Sequence, residues 1–340
     1  MTTTDVGGRA APPAAGPGAG AGTQGLAPAT RGVKGGSGLT PYLFLAPYLI
    51  LFGVFVLAPS IFVIWISLHD WDFLLPGKPF VGLDNYLNLF RPGTVTSEPF
   101  WSSMLATGKF VLYSVPLLVI IPMGLAVLLN QRFPGRNFFR AAYFAPYVLG
   151  VAVVGILWRF LLDPNVGLVN YYLDKLGIDA NIAWVNETPW VWAALVGPTV
   201  WWTLGFNTVI YLAGLQDIPR ELYEAAKVDG AGRWASFRNV TLPGLRPVLL
   251  FVVVTTVLAS ANVFGQPYII TQGRPGIETR SAIMYIGQEG LRDFRMGSAA
   301  AASFILTLVL IMVSLVTFVA FRERKERWRW HSGGPASTAD

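Results

Sequence analysis

Between residues 221 and 243 the chain reads Glu-Leu-Tyr-Glu-Ala-Ala-Lys-Val-Asp-Gly-Ala-Gly-Arg-Trp-Ala-Ser-Phe-Arg-Asn-Val-Thr-Leu-Pro, a polar stretch between two long apolar runs. Its residue types suit recognition rather than bond-breaking. Glu224 and Lys227 offer charged contacts, Ala225 and Ala226 thin one side of a helix so that a partner can approach closely, and Gly230 permits a sharp turn. Asp217 is placed to cap a first short helix, with Pro219 in its first turn and Leu222 to Val228 mostly good helix formers. Arg233 to Val240 follow as a second helix that Pro243 stops. The expected product is a helix-turn-helix knob. The plain alternative is a solvated interhelical loop, since such loops are commonly polar and charged.

Other chemistry is poorly represented. A phosphate cradle needs Gly-x-x-x-x-Gly-Lys-Ser/Thr, and at Gly108-Lys109 the nearest match has Ser103 for the first glycine and Phe110 for the hydroxyl. The chain is expected to hydrolyse no nucleotide, and no catalytic residue is assigned. It has no cysteine, hence no thiolate nucleophile, disulfide or cysteine metal site. Its two histidines, His69 and His331, are expected on opposite faces of a membrane, which leaves no metal site.

The elements that would position the knob are apolar. Hydrophobic residues make up 53% of the 340 and charged residues only 13%, against about a quarter charged in a soluble domain. Six runs approach or exceed the ~20 residues that cross a bilayer as helix. They are 42–68, 110–130, 141–162, 190–213, 247–270 and 297–321. No alternating barrel pattern appears, so the fold class is all-α, a polytopic membrane protein. Residues 1–40, rich in Gly, Ala and Pro, read as a disordered tail, 41–321 as the membrane domain with its loop at 217–243, and 322–340 as a basic tail. Trp328 and Trp330 in that last tail suit anchoring at the lipid interface.

The net charge of +6 is unevenly spread. The two tails and the second and fourth loops hold 16 Lys and Arg, while the first, third and fifth loops hold 7. The positive-inside rule therefore puts both termini and the knob in the cytoplasm, and the basic balance points to lipid rather than nucleic acid. Lys109 and Arg159 lie near span ends as snorkelling anchors, Arg159 within reach of Asp163 one helical turn on. No ionisable residue is expected at the midplane, which argues against an ion-coupled carrier.

Glu224-Ala225-Ala226, Asp229-Gly230-Ala231, Phe237 and Leu242-Pro243 resemble, at matching spacing, the cytoplasmic Glu-Ala-Ala loop of ABC importer permeases. Leu43-Phe44-Leu45-Ala46-Pro47, Pro59, Ser67, Phe80-Val81-Gly82-Leu83-Asp84-Asn85-Tyr86, Trp158-Arg159 and Gly167-Leu168-Val169-Asn170 are similar to segments of the carbohydrate-uptake group of maltose and glycerol-phosphate type. The maltose permease proper has extra N-terminal spans and a large external domain, so the plainer six-span members are the better likeness and maltose itself is not inferred.

The resemblance implies a type I importer permease in a bacterial cell membrane, multi-pass, paired with a second similar permease and supplied by an extracytoplasmic solute-binding protein. Two ABC ATPase subunits, which would carry the ATP and Mg that this chain does not bind, would dock on the loop. It implies coupling contacts at Glu224, Ala225, Ala226, Lys227, Asp229, Gly230, Ala231, Phe237, Leu242 and Pro243, and a sugar or sugar derivative as solute. A non-sugar solute, an ion-coupled carrier and a non-transporting scaffold are the alternatives.

A sugar path needs aromatic faces for the rings and amides for the hydroxyls. Trp201, Trp202, Asn207 and Tyr211 in the fourth span, with Asn262 and Gln266 in the fifth, are candidates. Each also has a structural reading, as interfacial aromatics or as interhelical hydrogen bonds. Small residues from Gly297 to Ser303 are expected to pack closely. Pro116, Pro122, Pro146 and Pro198 are expected to kink spans.

Overall fold

The computed structural model describes residues 40–178 and 181–329. The expected tail at 1–40 lies almost wholly outside these residues, as do His331 and Trp330. Two compact units are distinguished, ending and beginning at Val56 and Leu57. The first holds α1 (Thr40–Phe52), whose described side chains are mostly exposed and apolar, as in a helix made for lipid.

The second unit contains α2 (Ala58–Ser67), α3 (Asp84–Phe90), α4 (Ser97–Leu129), α5 (Arg136–Phe144), α6 (Val151–Leu161), α7 (Leu168–Lys175) and α8 (Trp190–Gln216). After these come α9 (Arg220–Val228), α10 (Arg233–Ser236), α11 (Leu242–Gly244), α12 (Arg246–Ala261), α13 (Ala282–Gly287) and α14 (Met296–Arg329). No β-strand forms among the described residues, so the all-α expectation holds.

Three helical stretches are long and apolar enough to cross a membrane, Tyr42–Ser67, Ser97–Leu129 and Met296–Val319. The expected third span is instead broken, with Arg136–Val148 turning by 97° into Val151–Leu161. Pro146 sits in a 3-10 turn and Gly150 is extended at φ −67° and ψ 150°, which ends one helix before the next starts. The fifth, expected to run to Ile270, stops at Ala261 and resumes as a π-turn at Pro267–Thr271. Pro267 opens that turn, where a missing N–H is harmless.

The fourth span, α8, is 27 residues long, about 40 Å at 1.5 Å per residue, and buries residues along its whole length. One face, with Trp190, Trp201, Phe206 and Val209, stays exposed, while the packed face carries the Gly, Thr and Asn residues. At Gly205 an added methyl group would strike the backbone of Tyr143, and at Gly214 it would meet Val248 at 2.5 Å. Small residues thus let α5 and α12 approach α8, and the predicted alanine run of α14 is likewise buried at Ala299 to Ala302.

Along α4, α8 and α12, with the chain just beyond α12, side chains form two apolar layers. At one end Ala106 and Phe110 of α4 meet Val191, Trp192, Leu195 and Val196 of α8, with Val263 and Ile270. At the other, Ala126 and Leu129 meet Tyr211, Leu212 and Leu215, with Ile218, Leu245 and Val252. Between the two apolar layers lies a cavity.

Candidate functional site

The knob forms from residues whose preferences are local. Helix α9 carries Glu221 in its first turn and Lys227 in its last, each matched to the helix dipole. Its end is a Schellman motif, in which Ala231 N donates to Ala226 O at 2.8 Å and Gly230 N to Lys227 O at 3.0 Å. Gly230 takes φ +76°, the left-handed conformation that glycine adopts most readily. Two details differ from expectation. Asp217 does not cap α9: it flanks the end of α8, and Pro219 occupies the N-cap position at ψ 135° with no side-chain cap. Nor does Pro243 stop the chain. It lies in the first turn of α11, where a missing N–H is harmless, and the path continues with a bend of 67° into α12.

Glu224, Ala225, Lys227, Asp229 and Gly230 are exposed, and Ala226, Ala231, Phe237, Leu242 and Pro243 half-buried. Sequence reasoning missed the apolar part of this surface. Val228 is 88% exposed and Trp234 72%, and Trp234 stacks on Phe237 with centroids 5.6 Å apart. Both apolar side chains stand open in an otherwise polar loop. The base of the knob is pinched, because a methyl group at Gly244 would meet Ile218 at 2.8 Å. Ile218 and Leu245, the entry and exit, are both buried in the layer with Leu129 and Leu215. The knob is therefore rooted in α4, α8 and α12 together.

The cavity has a volume of about 430 Å³, and no charged side chain lines it. Tyr147, Trp202 and Phe206 supply an aromatic wall, with Tyr147 and Phe206 stacked at 4.8 Å. Asn207, Asn262, Gln266, Thr255 and Ser260 supply polar groups. The two broken spans meet here, since a methyl group at Gly265 would touch Val151 at 2.6 Å. Trp202 Nε1 donates to Leu149 O at 2.9 Å and so occupies a carbonyl freed by the break.

The other candidates sort by their hydrogen bonds. Asn207 Nδ2 donates to Leu118 O at 2.9 Å. Pro122, four residues beyond Leu118, cannot serve that carbonyl, so the structural reading of Asn207 accounts for its amide nitrogen. Asn262 Nδ2 likewise closes the end of α12 by donating to Leu258 O at 2.8 Å. Gln266 is 8% exposed, faces the cavity, and makes no side-chain hydrogen bond to the described residues. Trp201 and Tyr211 do not line the cavity. Trp201 packs edge-on against Trp158 at 5.7 Å, and Tyr211 is buried in the knob-end layer with no partner for its hydroxyl.

The anchors also differ from expectation. Arg159 makes no ion pair with Asp163: α6 ends at Leu161, Arg159 donates to Ile269 O at 3.3 Å, and Asp163 Oδ1 accepts from the backbone of Asn165 and Val166. Lys109 pairs with Glu278 at 3.4 Å, a partner 169 residues away. No group of three or more metal-ligating side chains occurs among the described residues.

Residues 95–325 match the family described as "Binding-protein-dependent transport system inner membrane component". The chain is similar to the trehalose/maltose transport system permease protein MalF of Thermococcus litoralis, at 35% identity over 82% of this chain and 92% of that protein. To the arabinooligosaccharides transport system permease protein AraP of Bacillus subtilis the figures are 34%, 82% and 87%. Among solved structures, a chain of a bacterial alginate ABC transporter in complex with an alginate pentasaccharide-bound periplasmic protein superposes with a TM-score of 0.70 at 26% identity, covering 82% of this chain and 92% of that one.

Proposed function

Because the chain belongs to the family of binding-protein-dependent transport system inner membrane components, we propose that it is the permease subunit of an ABC importer for a neutral sugar or oligosaccharide. The observation that carries this is the uncharged cavity, aromatic on one wall and rich in amides and hydroxyls, enclosed between two apolar layers of which one holds the root of the knob. Pyranose rings suit Tyr147, Trp202 and Phe206, and hydroxyls suit the free amide of Gln266.

The knob end faces the cytoplasm in this reading, with both termini on that side, as the Lys and Arg distribution favours. An extracytoplasmic binding protein delivers the solute, and a second, similar permease completes the pathway. Two ATPase subunits, holding ATP and Mg, grip the knob through Glu224, Lys227 and the small face of Ala225 and Ala226, with Val228 and Trp234 seated in apolar surface. Closure of the ATPases pushes a rigid knob, and its root transmits the push to α4, α8 and α12 at once. Nucleotide chemistry belongs to the partners.

The test is uptake by the assembled importer in proteoliposomes, with ATP inside and no ion gradient. A neutral disaccharide or trisaccharide is expected to accumulate, whereas a glycerophosphodiester is not. Glu224→Lys is expected to lower both uptake and co-purification of the ATPase. Wild-type uptake by that variant would remove the loop from the mechanism.

A further inference from the structure

Residues 271–282, beyond the broken fifth span, fold onto the ends of α4 and α8 farthest from the knob. Their base is held by buried and part-buried bonds. Ala282 N donates to Thr107 Oγ1 at 2.8 Å, Thr271 and Thr279 share a hydroxyl bond of 2.7 Å, and Arg280 reaches Ser103 Oγ at 3.0 Å and Pro99 O at 3.2 Å. The tip is held differently. Glu278 Oε1 faces Lys109 Nζ of α4 at 3.4 Å, while its Oε2 accepts from Thr188 Oγ1, two residues before α8, at 2.6 Å. Both ionised side chains are only partly covered, at 36% and 30% exposure.

Lys109 also lies 5.8 Å from the ring of Trp192, which belongs with Phe110 to the apolar layer above the cavity. Phe110 is at once a member of that layer and a wall of the cavity. One carboxylate thus ties together the two helices whose side chains seal the far end.

We propose that Glu278 is a positioning residue for transport, the latch that holds residues 271–282 across α4 and α8 and keeps the extracytoplasmic mouth of the cavity shut until the binding protein docks. The inference rests on the importer reading above. A half-exposed ion pair suits a latch: it biases the closed state, yet its modest strength lets a docking partner open it. The Thr188 hydroxyl, and after it Lys109, hold the Glu278 carboxyl below the usual carboxylate range, so the latch stays charged through neutral pH.

The experiment uses the complete importer in proteoliposomes and exploits a chain without cysteine. In Lys109→Cys/Glu278→Cys, linkage by a short reversible bis-thiosulfonate is expected to lower uptake at least about ten-fold, a population shift that reductant reverses. In Glu278→Gln, ATP hydrolysis without binding protein is expected to rise about 2- to 5-fold, the range of a partly exposed pair. Lys109→Glu/Glu278→Lys should return it towards the parent rate, which loss of folding would not do. Unchanged uptake after linkage, or unchanged basal hydrolysis in Glu278→Gln, overturns the latch. Failure of the parent chain itself to import sugar or bind an ATPase overturns the importer reading instead.

Discussion

Tyr223 Oη on α9 lies 3.0 Å from Thr241 Oγ1 in the returning arm of the knob, a side-chain bond between the two strokes of the same turn. Thr241 is buried and Tyr223 packs against the layer that contains Leu215 and Leu245, so the bond sits where the knob enters the bundle. A knob that transmits a push must not shear at that point.

Tyr223→Phe removes the hydroxyl and keeps the ring. Loss of one hydrogen bond with a buried partner is worth about 1 kcal/mol, too little to unfold the chain. The expected outcome is a looser coupling: ATP hydrolysis by the assembled importer continues, while sugar moved per ATP falls. The ratio of uptake to phosphate release checks this, and an unchanged ratio would deny the bond a mechanical part.

Gly230 has open space around its Cα, but φ +76°. The cost of a side chain there is conformational rather than steric. Gly230→Val is expected to destabilise the turn by about 1–2 kcal/mol and lower ATPase co-purification, whereas Gly230→Asn, which tolerates this region, should be milder. Equal behaviour of the two variants would show that bulk, not backbone geometry, matters at the turn.

Asn207 and Gln266 line the same cavity but predict opposite phenotypes. Asn207→Leu strands the Leu118 carbonyl beside Pro122 and should cost about 1–3 kcal/mol, seen as a lower melting temperature of the purified chain. Gln266→Leu strands nothing in the protein, so melting should hardly move while half-saturation for sugar rises. A melting loss in Gln266→Leu, with normal uptake, would transfer that residue to the scaffold.

The helix and turn of the knob were legible in sequence because their signals are local: the helix formers from Leu222 to Val228 and the glycine at 230 act within two turns of chain, although the Asp217 cap read with them does not form. The broken spans were not. Residues 141–162 are apolar but for Arg159 near the end, and only Pro146 and Gly150 hint at a break, which packing against Gly205 makes definite. Composition also hid the roles of the amides. That Pro122 frees the Leu118 carbonyl can be read from the chain, but that Asn207 on another helix fills the gap depends on a tertiary approach of α4 and α8. Lys109 looked like a lipid anchor for the same reason, since Glu278 lies far along the chain.

Glu289, in the turn between α13 and α14, is 5% exposed, and this burial pushes its carboxyl above the usual carboxylate range. Arg295 stands 3.8 Å away, beyond hydrogen-bond length, and Tyr285, Ser298, Asp293 and Arg280 complete its surroundings. A carboxyl whose folded pKa is raised binds its proton more tightly in the native state than in the unfolded chain. Its contribution to stability is therefore fully present below the ordinary glutamate range and is lost as pH rises through the folded value. The melting temperature should climb as pH is lowered from neutral towards that range. Glu289→Gln, which mimics the protonated form, should be more stable than the parent at neutral pH and show a flatter profile. Parallel melting curves for parent and variant across that window would mean that the carboxyl is ionised in the folded protein, with Arg295 compensating for its burial.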